Sequence, residues 1–192
     1  MFDSAGNLFA IGNSAPPSGG DWVVRKSSDG GATWRTVDRY NASPQFRTGA
    51  RGVFADSRDR LYVSGYAETG LAGVSDALIR VSDDRGETWR VLAKFHEPGS
   101  SRNLSWNVLG DDSGNLYASS YALGSDNLNY WLVHKSEDGG ESWASLDDTA
   151  GTASKGAFCY ALAIDKYGDL FAAGGMKTGD ATTSAWVRRL VP

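Results

Sequence analysis

The segment Ser27-Ser28-Asp29-Gly30-Gly31-Ala32-Thr33-Trp34 returns twice, as Ser82-Asp83-Asp84-Arg85-Gly86-Glu87-Thr88-Trp89 and as Ser136-Glu137-Asp138-Gly139-Gly140-Glu141-Ser142-Trp143. All three read S-x-D-x-G-x-[TS]-W, and their starts lie 55 and then 54 residues apart. A second motif keeps the same interval: Gly6-Asn7-Leu8-Phe9, Asp59-Arg60-Leu61-Tyr62, Gly114-Asn115-Leu116-Tyr117 and Gly168-Asp169-Leu170-Phe171. Two independent motifs on one period define a structural repeat.

Each unit resolves into four short strands separated by turn residues. In the third, strand A is expected at 106–109, strand B at 116–121, strand C at 131–135 and strand D at 143–146. No segment sustains apolar residues at i, i+3, i+4 and i+7, so helix is not expected. Four-strand units at this period predict an all-β protein built of β-propeller blades. The repeats fall at 1–49, 50–104, 105–158 and 159–192, giving strands B-C-D, A-B-C-D, A-B-C-D and A-B-C in one domain of about three and a half to four blades.

The octet has the chemistry of a turn joining strands C and D. Asp29, Asp84 and Asp138 are suited to accept from backbone N–H groups two or three residues on. Ser27, Ser82 and Ser136 offer hydroxyls to the same turn. Gly31, Gly86 and Gly140 supply the positive φ that a tight hairpin needs. Trp34, Trp89 and Trp143 open strand D and pack their rings against the blade. One carboxylate per turn makes a poor calcium cage, so these aspartates read as structural and no metal is expected.

The octet resembles the Asp-box, or BNR repeat, of the sialidase-like propellers, which include sialidases, xyloglucanases and sortilin-type receptors. That likeness covers nearly the whole chain, and it is specific for fold rather than for activity. It implies octets at the outer rim and a ligand face at the opposite end of the axis. Sialidases of this fold use an arginine triad, a Tyr–Glu nucleophile pair and an Asp acid/base. The Arg-Ile-Pro motif carrying their first arginine is not found in this sequence.

Composition excludes several function classes. A net charge of -4 offers no basic footprint for nucleic acid. No apolar run approaches the ~18 residues of a membrane-spanning helix. Cys159 stands alone in an apolar strand and reads as a buried, inert thiol. No metal-ligand spacing, Ser-His-Asp context or phosphate-binding glycine loop is present, and no cofactor is expected. Met1-Phe2-Asp3-Ser4 carries no signal peptide and reads as the tail of a strand A, yet the expected location is secreted or periplasmic. Two completions of the ring are open: the chain is the C-terminal half of a longer propeller, or it pairs with another copy of itself.

The D-to-A loops (39–49, 93–104 and 147–157) and B-to-C loops (12–21, 65–76, 119–130 and 174–184) share the axial face, where function belongs. Arg51, Trp106 and Tyr160 occupy one repeat position near the start of the innermost strand. A cation and two aromatic faces suit a sugar ring or a carboxylate; a plain plug of the tunnel is the simpler reading. Arg47 and Arg102 are equivalent to each other just upstream, and Tyr66, Tyr121 and Tyr130 flank the B-to-C loops. Arg25, Arg80 and Arg188 recur in strand C and read as scaffold, with His134 in the same role. His96 reads as a surface residue. Glu68, Glu97, Asp126, Asp147 and Asp148 are the loop carboxylates from which a hydrolase would draw its pair. The leading expectation is a non-catalytic binding or scaffold module with glycan as ligand. The alternative is part of a glycoside hydrolase, sialidase-like or xyloglucanase-like, and a protein-docking platform is a third reading.

Overall fold

A computed structural model describes residues 1–14, 20–42, 45–71, 73–148, 156–177 and 183–191. Its fourteen strands fall into four units. The first holds β1 (Leu8–Asn13), β2 (Trp22–Ser27) and β3 (Arg35–Tyr40). The second holds β4 (Thr48–Ala55), β5 (Leu61–Glu68), β6 (Ser75–Ser82) and β7 (Arg90–Phe95). The third holds β8 (Arg102–Gly110), β9 (Leu116–Leu123), β10 (Asn129–Ser136) and β11 (Ala144–Asp148), and the fourth β12 (Ala157–Ile164), β13 (Leu170–Lys177) and β14 (Thr183–Leu190). Within every unit, consecutive strands pair antiparallel. No helix is found among the described residues, and none is long and apolar enough to cross a membrane.

The octets form the β2–β3, β6–β7 and β10–β11 hairpins, and each is satisfied from within. In the first, the Gly31 N–H donates to Ser27 Oγ at 2.8 Å and the Thr33 N–H to Asp29 Oδ1 at 2.9 Å. The Trp34 Nε1–H closes the turn on the Gly31 carbonyl at 3.0 Å. The same three bonds recur around Asp84 and Asp138. The backbone donor common to all three lies four residues after the aspartate, and at Asp84 the Glu87 N–H, three residues on, donates as well at 3.0 Å; the octet glycines are left-handed (φ 96° at Gly31, 88° at Gly86, 102° at Gly140). Hydrogen bonds from the Thr33 and Thr88 hydroxyls lead in holding the Asp29 and Asp84 carboxyls down at about 2, and Asp138 is lowered in the same way by Ser142.

Strand β8 starts four residues earlier than the hydrophobic pattern of 106–109 suggests. Its first turnings are polar: Asn103 Nδ2 donates to the Ser75 carbonyl at 3.0 Å, and Ser75 Oγ donates to the Asn103 carbonyl at 3.0 Å. Both residues are buried, so these bonds satisfy groups that water cannot reach.

Apolar side chains gather in three clusters, each between neighbouring units. Phe9, Trp22 and Val24 pack on Leu61, Val63 and Leu78. Tyr62, Ile79 and Val81 pack on Val108, Leu116 and Ala118. Tyr117, Trp131 and Val133 pack on Leu162, Leu170 and Ala172. Central strands are thus covered on both faces, and each buried Leu or Val contributes about 1.5–3 kcal/mol. Cys159 lies in the last cluster with no exposed surface, and burial pushes its thiol up to about 12.

Strand C residues at the scaffold position cross these seams. Arg80 clasps Asp38 of the preceding unit with two bonds of 2.8 and 3.0 Å and lies 4.2 Å over the Tyr40 ring. Arg188 reaches Asp147 at 3.1 Å. His134 instead stacks flat on Phe95, centroids 4.2 Å apart. Burial holds the His134 imidazole down at about 4, with Asp148 opposing.

Candidate functional site at the axial mouth

Adjacent units are tied where each innermost strand begins. Gly20 bridges Arg47 in parallel, and Ser75 bridges Arg102 in the same way one unit later. Thr48 Oγ1 accepts from the Trp22 N–H at 2.8 Å, and Thr48 and Asn103 are buried polar residues at equivalent positions of β4 and β8. Arg47 and Arg102 are therefore held at corresponding points of one face, both exposed.

Arg51, Trp106 and Tyr160 share a feature that the sequence did not reveal. Each is the unpaired residue of a β-bulge: the register shifts between Ala50 and Gly52, between Ser105 and Asn107, and between Cys159 and Ala161. A bulge bends its strand and re-aims the extra side chain, here three times at one repeat position. The re-aimed groups meet. Arg51 lies 5.3 Å over the Tyr66 ring and 5.8 Å over that of Trp106. Trp106 meets Tyr160 edge to face at 5.3 Å. Phe158, which the sequence reading passed over, stacks on Tyr160 at 5.6 Å and meets the edge of Tyr121 at 5.4 Å. Its signal was its place two residues before Tyr160, hidden because the equivalent Gly49 and Leu104 are not aromatic.

Beside this cluster lies a pocket of about 210 Å³ lined by Arg47, Arg51, Arg102, Tyr66, Tyr121 and Glu68, among others. Glu68 accepts from the Arg47 N–H at 2.9 Å. Three guanidinium groups against one carboxylate make the pocket cationic in a chain of net charge -4. Arg51 is anchored, donating to Asn13 Oδ1 at 3.3 Å and to the Ala50 carbonyl at 3.1 Å. Burial raises the Tyr121 phenol, which stays a neutral donor despite the opposing field of Arg102.

Other candidates lie elsewhere. Asp147 is engaged by Arg188 across the seam, with burial raising its carboxyl. Asp126 bonds the Tyr130 hydroxyl and the Leu128 N–H. His96 is partly exposed and pairs with Asp76 at 2.9 Å. Glu97 is raised by burial and next by Asp148. Parts of the expected loops, residues 15–19, 43–44, 72, 149–155 and 178–182, lie outside the described residues.

Among solved structures, the chain is similar to a Hadza microbial sialidase, with a TM-score of 0.72 and 16% identity over 97% of this chain and 43% of that one. It is also similar to the Penicillium chrysogenum α-L-arabinanase complexed with arabinobiose (TM-score 0.64, 16% identity, 98% of this chain, 60% of that). The Trypanosoma rangeli sialidase in complex with 2,3-difluorosialic acid gives a TM-score of 0.67 at 15% identity, over 97% of this chain and 34% of that one. The all-β fold is thus that of sialidase and arabinanase β-propellers, and the chain spans less than two thirds of these structures. No family model and no curated protein matches the sequence.

Proposed function

We propose that this chain is an Asp-box β-propeller module, secreted or periplasmic, that binds an acidic sugar without turning it over. The observation that carries the reading is the single pocket in which Arg47, Arg51 and Arg102 stand with Tyr66 and Tyr121. A guanidinium grips a carboxylate through two parallel N–H···O bonds, and a tyrosine face covers the apolar side of a pyranose ring. Trp106 and Tyr160 extend that aromatic surface toward the axis. Two of the similar structures are sialidases and one holds a sialic acid derivative, which agrees with an acidic ligand better than the neutral arabinobiose of the third.

Calorimetric titration with N-acetylneuraminic and galacturonic acids, and with galactose as the neutral control, tests this. Acidic sugars bind, the affinity falls with salt, and Arg102→Ala lowers it at least about tenfold through loss of a charge-assisted pair. Equal affinity for galactose, or none for either acid, overturns the reading. A second reading, part of a glycoside hydrolase, draws on Glu97, a loop acid between β7 and β8 whose carboxyl burial raises above its ordinary value. Turnover of fluorogenic sialosides or xyloglucan oligosaccharides that Glu97→Gln abolishes would establish it in place of the first.

A further inference from the structure

Seams between units obey a pairing rule. A Cβ on Gly65 would lie 2.0 Å from the Gly49 carbonyl oxygen of its own sheet and 2.7 Å from the Trp22 ring, and one on Gly174 would lie 1.8 Å from the Phe158 carbonyl oxygen and 2.7 Å from the Trp131 ring. Each glycine thus makes room both for the bulged strand beside it and for a fully buried tryptophan from the preceding unit, and Ser120 beside the same bulge in the middle seam shows that the tryptophan is what excludes a side chain. The same two seams carry the Arg80–Asp38 and Arg188–Asp147 pairs. In the middle seam every member changes together. The equivalent positions hold Ala77 for the tryptophan, Ser120 for the glycine, Ala93 for the aspartate and His134 for the arginine. Glycine goes with tryptophan and arginine goes with aspartate, because a lone indole has no room and a lone buried charge has no counter-ion.

The outer face of the first unit carries the glycine and arginine half of this rule with none of the described residues against it. Gly12 is equivalent to Gly65 and Gly174, and a Cβ there would meet nothing within 4 Å. Arg25 is equivalent to Arg80 and Arg188, yet it is exposed, with one bond to the Trp34 carbonyl of its own hairpin at 3.0 Å. Ala10 is exposed too, whereas Val63, Ala118 and Ala172 at its position have no exposed surface. Together these residues line a groove of about 430 Å³.

We propose that this face docks a further propeller blade, one that presents a tryptophan from its third strand to Gly12 and an aspartate from its fourth strand to Arg25. The pairing rule specifies that chemistry. A second copy of the chain does not supply it: the open face of its fourth unit offers Ala185 at the tryptophan position, beside Val187, 72% exposed. This proposal does not rest on the sugar pocket, which adjoins the groove where Asn13 accepts from Arg51.

The test extends the chain with its own material. A copy of residues 105–162 joined directly to Met1 keeps the repeat interval, since Asp3 and Asp165 are equivalent, and brings the Trp131 and Asp147 side of a blade to Gly12 and Arg25. A copy of residues 50–108 brings Ala77 and Ala93 instead. The first extension raises the melting temperature by roughly 5 °C or more over the second. Arg25→Ala or Gly12→Val removes that gain while leaving the unextended chain unchanged. Thiol labelling of an Ala10→Cys variant reports docking independently of stability: it slows at least about tenfold in the first extension only. Equal melting and equal labelling in the two extensions overturn the proposal. So does a concentration-dependent dimer of the unextended chain that Arg25→Ala dissolves, because the occupant is then a second copy.

Discussion

The rim hairpins and the axial mouth are built from the same repeat and treat it in opposite ways. At the rim, three octets keep the same residue types and the same three hydrogen bonds, so each turn is satisfied by its own atoms. At the mouth, one repeat position carries Arg51, Trp106 and Tyr160, three side chains with different chemistry lifted out of the ladder by a bulge. Sameness marks what the C–D turn needs in the three units that carry it. Divergence at a position with constant backbone geometry marks side chains whose identity the strand ladder does not fix.

If that contrast holds, substitutions between units should cost stability and substitutions at the mouth should cost almost none. The largest loss is expected for Arg80→Ala, which strands the buried Asp38 carboxylate and lowers the free energy of unfolding by about 3–5 kcal/mol in urea titration. An effect under about 1 kcal/mol would show that the clasp is dispensable.

Next comes His134. Its folded imidazole titrates near 4 against an ordinary value of 6.5. A group depressed in this way lends its full stability above 6.5 and loses it as pH falls from 6.5 to 4, by on the order of 3 kcal/mol. His134→Phe keeps the stack on Phe95 and should flatten the stability profile across that window. A profile with the same slope in the variant would assign the acid sensitivity elsewhere.

The rim should respond in a lower pH window and more weakly. With Asp29 and Asp84 held at about 2 against 3.8, their contribution is present above 3.8 and fades as pH falls from 3.8 toward 2. Asp84→Ala should therefore lower the melting temperature at neutral pH and have little further effect at pH 2. The smallest change is expected at the mouth. Arg102→Ala should leave unfolding within about 0.5 kcal/mol of the parent, as for exposed residues outside the packing, while lowering the affinity for the acidic sugars at least about tenfold. A marked loss of stability there would make Arg102 part of the scaffold and blur the contrast.

From the sequence alone came the strand order, the octet as a C–D turn, and the repeat position shared by Arg51, Trp106 and Tyr160. Each depends on spacing or on local turn chemistry, and spacing survives in one dimension. The tertiary structure decided the rest. That Arg51, Trp106 and Tyr160 are bulged, that Phe158 meets Tyr121, and that Asp147 pairs with Arg188 all depend on which atoms from separate strands come to lie together. The exchange of Trp–Gly and Asp–Arg for Ala–Ser and Ala–His was likewise written in the repeat, but invisible until the packing of one unit's face on the next showed which columns touch. Local interactions are legible in sequence because their partners are near in the chain; a seam is a contact between distant segments, and only the folded backbone brings its halves together.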